Sequence, residues 1–290
     1  MSAPKLHQYP FTPCSLTMDG HRLSYLDQGK GPPLVMVHGN PSWSYLYRNL
    51  VSHLQGRYRC IVPDHLGCGL SDKPQNYPYR LQNHIHNLDH LLDRLEISQC
   101  TLIVHDWGGA IGMGWAGRHP ERVKGLVILN SAAFFSPRIP LRIAICRIPL
   151  LGALLVRGVN GFARAAIHMA VHKPMDPRVA AGFLYPYDSW HNRVAIYGFV
   201  RDIPMAKDHP SAPALAEVEA GLTRLHTKKM LICWGGRDFC FTRHFYEQWR
   251  QRFPRAQAHF FPHAGHYVLE DALPEILPLL DPFIDKCHDQ

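Results

Sequence analysis

The sequence predicts an α/β domain: a mostly parallel central sheet with helices on both faces and a helical cap insertion. Three observations predict it. From Pro33 onward the chain carries short apolar runs without polar alternation, the pattern of strands buried on both faces. Helical stretches separate these runs, and parallel strands need such crossovers. Between residues 131 and 221 the rhythm stops, and nine prolines divide a series of apolar helical pieces.

Taken in order, residues 14–18 and 22–27 read as two strands joined at Asp19-Gly20, a hairpin signal. Buried strands follow over 34–37, 59–62, 101–105, 123–129, 229–234 and 258–261. Helices are expected over roughly 43–54, 80–96, 109–118, 242–253 and 274–286. The core is then 1–130 together with 222–290, and the cap is 131–221.

A chain of 290 residues buries about three quarters of its unfolded surface, and its length alone fits one large domain or two small ones. No run of 18 apolar residues occurs, so no membrane span is expected. The start, MSAPKLHQYPFTPC, lacks the apolar core of a secretory signal. The eight cysteines form no C-x-x-C pair, which leaves zinc and redox motifs unsupported. Reduced thiols in a cytoplasmic protein are the plain expectation. His86, His90 and Asp93 could share a helix face as metal ligands, but a wet amphipathic helix accounts for them equally well.

The net charge of +8 has a location. Residues 122 to 173 hold eight Lys or Arg and no Asp or Glu; the remaining bases balance the acids. This excess sits among long aliphatic runs, which suits a lipid-like or protein surface better than nucleic acid. No nucleic-acid partner is expected.

The stretch TLIVHDWGGA holds the chemistry. A buried strand turns into a helix through x-nucleophile-x-Gly, which sets one side chain above the carboxyl edge of the sheet. Asp106 occupies that corner. It could cap the helix that starts near Gly108, or it could be a nucleophile. A carboxylate is already anionic at neutral pH and can displace a leaving group from saturated carbon, where a serine would need its base first. Two later stretches favour the nucleophile. In LICWGGRDFCF, Asp238 follows a strand; in FFPHAGHYVLED, His266 closes the next strand's loop. Asp106, Asp238 and His266 then stand in the order nucleophile, acid, base. His263 directly follows its strand and is the weaker base, while Glu270 and Asp271 read as solvated residues of the final helix. Asn40 and Trp107 add neutral N–H donors that could receive a growing anion. Asn40 could equally hold the turn before Pro41, and Trp107 could pack under the cap.

HGNPSWSYLYRNL, PDHLGCGLSDKP, VHDWGGA, WGGRDFCF and HAGHYVLED, in that order, together resemble a haloalkane dehalogenase of the α/β-hydrolase superfamily. The resemblance covers the whole core and implies the α/β-hydrolase fold. It implies Asp106 as nucleophile, His266 as base, Asp238 as triad acid, and Asn40 with Trp107 as a halide clamp. Asn130, in LVILNSAAF, stands where another branch takes its acid and cannot serve, so the pattern is similar to the third dehalogenase subfamily. That subfamily also resembles the β-lactone decarboxylases of long-chain olefin biosynthesis, which use a similar triad on a lipid substrate.

The expected reaction is hydrolytic dehalogenation, with displacement by Asp106 and ester hydrolysis through His266. The expected partners are a small hydrophobic halogenated or lipid-like substrate and a halide ion; no metal or organic cofactor is implied. Decarboxylation of a cis-β-lactone is the alternative. Epoxide hydrolysis would need acidic donors, for which Tyr185, Tyr187 and Tyr197 lie in the cap. A decayed binding module would have no need to keep every triad position filled. Phe134, Phe135 and Trp190 are expected to line the pocket. The basic apolar segment 138–167 could be a solvated helix face, form the entrance for a long alkyl chain, or meet a membrane surface, a homo-oligomer or an enzyme assembly.

Overall fold

The computed structural model describes residues 5–289; the first four residues of the stretch read for a secretory signal lie outside the described residues. Eight strands form one sheet: β1 Cys14–Met18, β2 His21–Gln28, β3 Pro33–Val37, β4 Arg59–Pro63, β5 Cys100–Asp106, β6 Val123–Ser131, β7 Lys229–Gly235 and β8 Gln257–Phe261. Their spatial order is β1-β2-β4-β3-β5-β6-β7-β8. The β1–β2 and β2–β4 pairs are antiparallel, and every other pair is parallel. This is the α/β-hydrolase architecture the sequence predicts.

The helices, in chain order, are α1 Arg48–Leu54, α2 Leu81–Arg94, α3 Trp107–Arg118, α4 Leu141–Cys146, α5 Leu151–Ala153, α6 Gly161–Met169, α7 Pro177–Leu184, α8 Val194–Arg201, α9 Ala212–Gly221, α10 Arg243–Arg252, α11 Val268–Asp271 and α12 Leu273–His288. Successive strand residues bury into different layers, which is why the runs are continuously apolar. Leu34, Met36 and Ile103 pack in one core with α1 and α12. Val35, Val37, Leu102 and Val104 pack in the other with α2, α3 and α10.

Most element boundaries differ from expectation by one or two residues, and three of the differences bear on the site. The helix expected over 43–54 opens with a 3-10 turn at Ser44–Tyr47 before α1. Strand β6 runs two residues past Leu129, to Ser131. Helix α3 starts at Trp107, directly behind Asp106. At that junction Asp106 takes φ +52, a left-handed backbone held by a non-glycine residue. Such a conformation costs about 1–3 kcal/mol and persists only where the surroundings enforce it. They do so here: the Ser131 hydroxyl donates to the Asp106 carbonyl at 2.5 Å. A Cβ on Gly108 would collide with the Val37 carbonyl, so only glycine lets α3 start against β3.

Helices α4 to α9 lie between β6 and β7. The expected cap boundary at 221 falls at the end of α9, yet α9 packs on α3, where Gly117 and Gly221 bring the two backbones together. That helix therefore belongs to the layer flanking the sheet. Gly108→Ala should lower the unfolding free energy by about 3 kcal/mol through overpacking at the corner; urea denaturation measures it, and an unchanged midpoint would remove the argument for that glycine.

Candidate active site

Asp106, at the carboxyl end of β5, is buried at the floor of a cavity of about 370 Å³. Asn40, Trp107 and His266 share its lining, and most of the rest is apolar: Leu81, Phe134, Ile143, Leu155, Phe162, Phe241 and others. The Asp106 side chain makes no side-chain cap bond to α3; of that helix only the first N–H, that of Trp107, pulls on its carboxylate. Instead its Oδ2 accepts from the Asn40 backbone N–H at 2.6 Å. Gly39 is required beside it, since a Cβ there would collide with that carboxylate. One carboxylate oxygen is thus fixed on a backbone donor. Burial pushes the Asp106 pKa up to about 6, against the pull of His266 and of the backbone N–H groups of Asn40 and Trp107.

His266 follows β8, and its Nδ1–H donates to Asp238 Oδ2 at 2.7 Å. That bond fixes the tautomer and leaves Nε2 as the ring's free nitrogen. Burial opposes protonation of His266, but the Asp238 charge, the hydrogen bond to it and the Asp106 charge outweigh burial and raise its pKa. Asp238 is likewise buried, yet the His266 charge and the bonds from His266, Cys240 and Asn130 hold its carboxyl below the ordinary range. The Cys240 and Phe241 backbone N–H groups donate to Asp238 Oδ1 at 2.6 and 3.0 Å. The structure therefore bonds His266 to Asp238 and sets His266 with Asp106 on one cavity lining. His263 is instead exposed and paired with Glu275 at 2.8 Å.

The proposed anion donors divide. Trp107 lines the cavity, its ring 5.3 Å from that of Phe199. Asn40 spends one amide N–H on the Ile196 carbonyl at 3.2 Å, which leaves one N–H of that amide free, and its Oδ1 is buried without a partner.

Several expectations need correction. Phe134 is buried and lines the cavity, but Phe135 (46% exposed) and Trp190 (48%) do not; Trp190 instead lies under the Arg157 guanidinium. None of Tyr185, Tyr187 and Tyr197 lines the cavity. Tyr187 is buried and donates to the Ser42 carbonyl, so the acid donors of epoxide chemistry are not at hand. Asp93 pairs with Arg122 at 2.7 Å, which removes it from a metal set with His86 and His90. Glu270 and Asp271 are not solvated. Glu270 forms a two-bond ion pair with Arg48, whose side chain is 1% exposed. Asp271 accepts from the backbone N–H groups of Gly265 and His172, tying the His266 loop to the segment after α6.

Sequence reasoning also passed over Asn130. It takes φ +31, donates to Asp238 Oδ2 at 2.9 Å and to the Gly235 carbonyl at 3.0 Å, and accepts from the Gly235 N–H at 2.8 Å. It is no acid, but it seats one. The signal was an asparagine at a strand end, a residue type that tolerates positive φ. His105 was also missed; its Nε2 donates to the His266 carbonyl at 2.9 Å, so the residue before the corner braces the base.

Fold and site together define an α/β hydrolase with a carboxylate at the nucleophile corner, and a family model described as the alpha/beta hydrolase fold matches residues 32–145. The chain belongs to that family, in the group that includes haloalkane dehalogenases and cis-3-alkyl-4-alkyloxetan-2-one decarboxylases. It is 47% identical to the cis-3-alkyl-4-alkyloxetan-2-one decarboxylase of Shewanella oneidensis, covering 96% of this chain and 89% of that one. It is 42% identical to the protein of the same name from Xanthomonas campestris pv. campestris, covering 96% and 97%. Among solved structures it is similar to haloalkane dehalogenase DatA from Agrobacterium tumefaciens, with a TM-score of 0.85, 26% identity, and 95% and 97% of the two chains covered.

Two tests follow from the geometry. If Asp106 attacks as its ionised carboxylate, ester formation there should fall as pH drops through about 6, roughly tenfold per unit further down; single-turnover rates across pH measure this. Asn130→Ala should slow turnover and lower the unfolding free energy by about 2 kcal/mol, because buried groups lose their partners; wild-type values for both would show that Asp238 needs no such seat.

Proposed function

We propose that the protein decarboxylates cis-3,4-dialkyl oxetan-2-ones, four-membered β-lactones, to alkenes. The identity to two relatives of that name, 47% and 42% over 96% of the chain, carries this reading. The apolar cavity around one carboxylate and one imidazole supports it. The sequence placed dehalogenation first; the relatives reverse that order.

In the proposed reaction the free oxygen of Asp106 attacks ring carbon C4 from the side opposite the ring oxygen. The C4–O bond breaks with inversion, and its electron pair leaves on the ring oxygen as a carboxylate. The His266 imidazole, whose proton Asp238 helps to hold, would meet that growing charge, and Trp107 with the free Asn40 N–H adds neutral donors. The new carboxylate then releases carbon dioxide: the C2–C3 bonding pair becomes the C3–C4 double bond, and the C4–O bond to Asp106 returns its pair to the carboxylate. Atoms and charge balance, and no water or cofactor enters. Inversion followed by anti loss converts a cis ring to a cis alkene. We take the cap as the helices between β6 and α9, which complete the apolar walls around the two alkyl arms.

Hydrolytic dehalogenation is the second reading, favoured by the likeness to a dehalogenase structure and by the same corner carboxylate. There Asp106 displaces halide, His266 activates water, and water frees the ester. The engaged Asn40 amide leaves the clamp one donor fewer than the sequence implied. The two readings differ in the fate of oxygen. After one turnover in ¹⁸O-water, the peptide holding Asp106 should stay unlabelled with a long-chain cis-β-lactone, and alkene should form faster than bromide from any bromoalkane in a panel. Label in Asp106, or bromide release with negligible alkene, would replace decarboxylation by hydrolysis.

A further inference from the structure

We propose that the cap segment Leu141 to Val159 seats on an anionic lipid surface, lying in the headgroup plane and opening the cavity toward the bilayer. This goes beyond the assigned reaction, since membrane seating would hold whichever electrophile Asp106 takes.

The described residues leave ten large hydrophobic side chains exposed, and all ten lie between β6 and β7. Seven of them fall within this 19-residue stretch, including Leu141 at 76%, Leu150 at 87% and Leu154 at 57%. A monomer seldom leaves so much contiguous apolar surface in water without a partner for it. Leu150, the most exposed, sits at φ +62, a backbone that a leucine adopts only under constraint.

Charge says which partner. Arg138, Arg142 and Arg164 are exposed around the stretch, and no Asp or Glu occurs from 122 to 173. Apolar side chains among arginines, in helices too short to cross a bilayer, are what an in-plane interfacial segment looks like. Lipid phosphates complement the guanidinium groups and acyl chains receive the leucines. A second copy meeting this face across a two-fold axis would set arginines against arginines with no acid to answer them.

The segment also forms the cavity wall. Ile143 and Leu155 line the cavity while Leu141 and Leu154, one or two residues away, point to solvent. The wall between a lipid surface and Asp106 is therefore one helix thick. An apolar substrate dissolved in a membrane would reach the site without crossing bulk water.

The test uses the full chain, vesicles of phosphatidylcholine alone or mixed with phosphatidylglycerol, and co-sedimentation. Binding should be at least about tenfold stronger to the anionic vesicles and weaken as salt rises from about 0.05 to 0.5 M. Leu150→Glu with Leu154→Glu, neither of which lines the cavity, should reduce it about tenfold or more while circular dichroism and melting temperature hold. Should that pair fail to fold, Arg164→Glu provides the same reading through charge. A folded wild-type protein that ignores anionic vesicles overturns the proposal. So does a wild-type oligomer that falls to monomer in the double variant, for the surface would then be covered by protein.

Discussion

The hydrogen bond from the Asn40 backbone N–H to Asp106 Oδ2 governs what this corner can do. In acyl-transfer relatives of the fold, backbone N–H groups at this place receive the oxygen of a substrate carbonyl. Here the nucleophile's own second oxygen is already there. An ester substrate would find that donor taken, whereas displacement at saturated carbon develops its charge elsewhere, on the leaving atom. The left-handed Asp106 backbone, the Ser131 bond behind it and the glycines at 39 and 108 all serve to bring the carboxylate onto that amide.

Much of this was legible in the sequence because burial on both faces leaves an unmistakable record. Leu34 to Val37 belong alternately to two cores, so no polar residue could interrupt the run. The three candidate residues stood out for a related reason: Asp106 ends its strand, while Asp238 and His266 follow theirs, so chain order and sheet order coincide. What escaped were residues whose partners lie far along the chain. Glu270 looks like a surface residue until Arg48, 222 positions earlier, is found buried against it. Removing one member of such a buried pair strands the other charge, at a cost of about 3–5 kcal/mol. Asn130 was judged by the acid it is not, when its work is to hold Asp238 in place. The cap resisted for a different reason. Prolines mark where its helices stop but not which side of each helix faces inward, so Phe134 was placed correctly and Phe135 and Trp190 were not.

The cap and the core meet at many points, and two of them lie beside the site. Asn40 reaches the Ile196 carbonyl on α8, and Asp271, beside the loop that carries His266, binds backbone N–H groups of the segment after α6. A shift of the cap would therefore be felt at Asn40 and at the loop carrying His266. The wall that shields the site from water is mechanically tied to the groups that would handle charge. In an apolar cavity those groups act at low effective dielectric, where one well-placed cation or N–H counts for more than in water.

A corner of this kind could serve two chemistries, because the difference lies in the substrate. After displacement, either route leaves an ester on Asp106. A simple alkyl ester carries no internal electron pair to expel the carboxylate, so its release needs water and a base. The ester formed from a β-lactone carries its own carboxylate two carbons away, and loss of carbon dioxide supplies the pair that frees Asp106. A triad can therefore persist unchanged while the reaction turns from hydrolysis to fragmentation. What must change is the shape and dryness of the space above it. That is why the level of identity, 47% and 42% to the decarboxylases against 26% to a dehalogenase structure, bears on the choice more than any triad residue does.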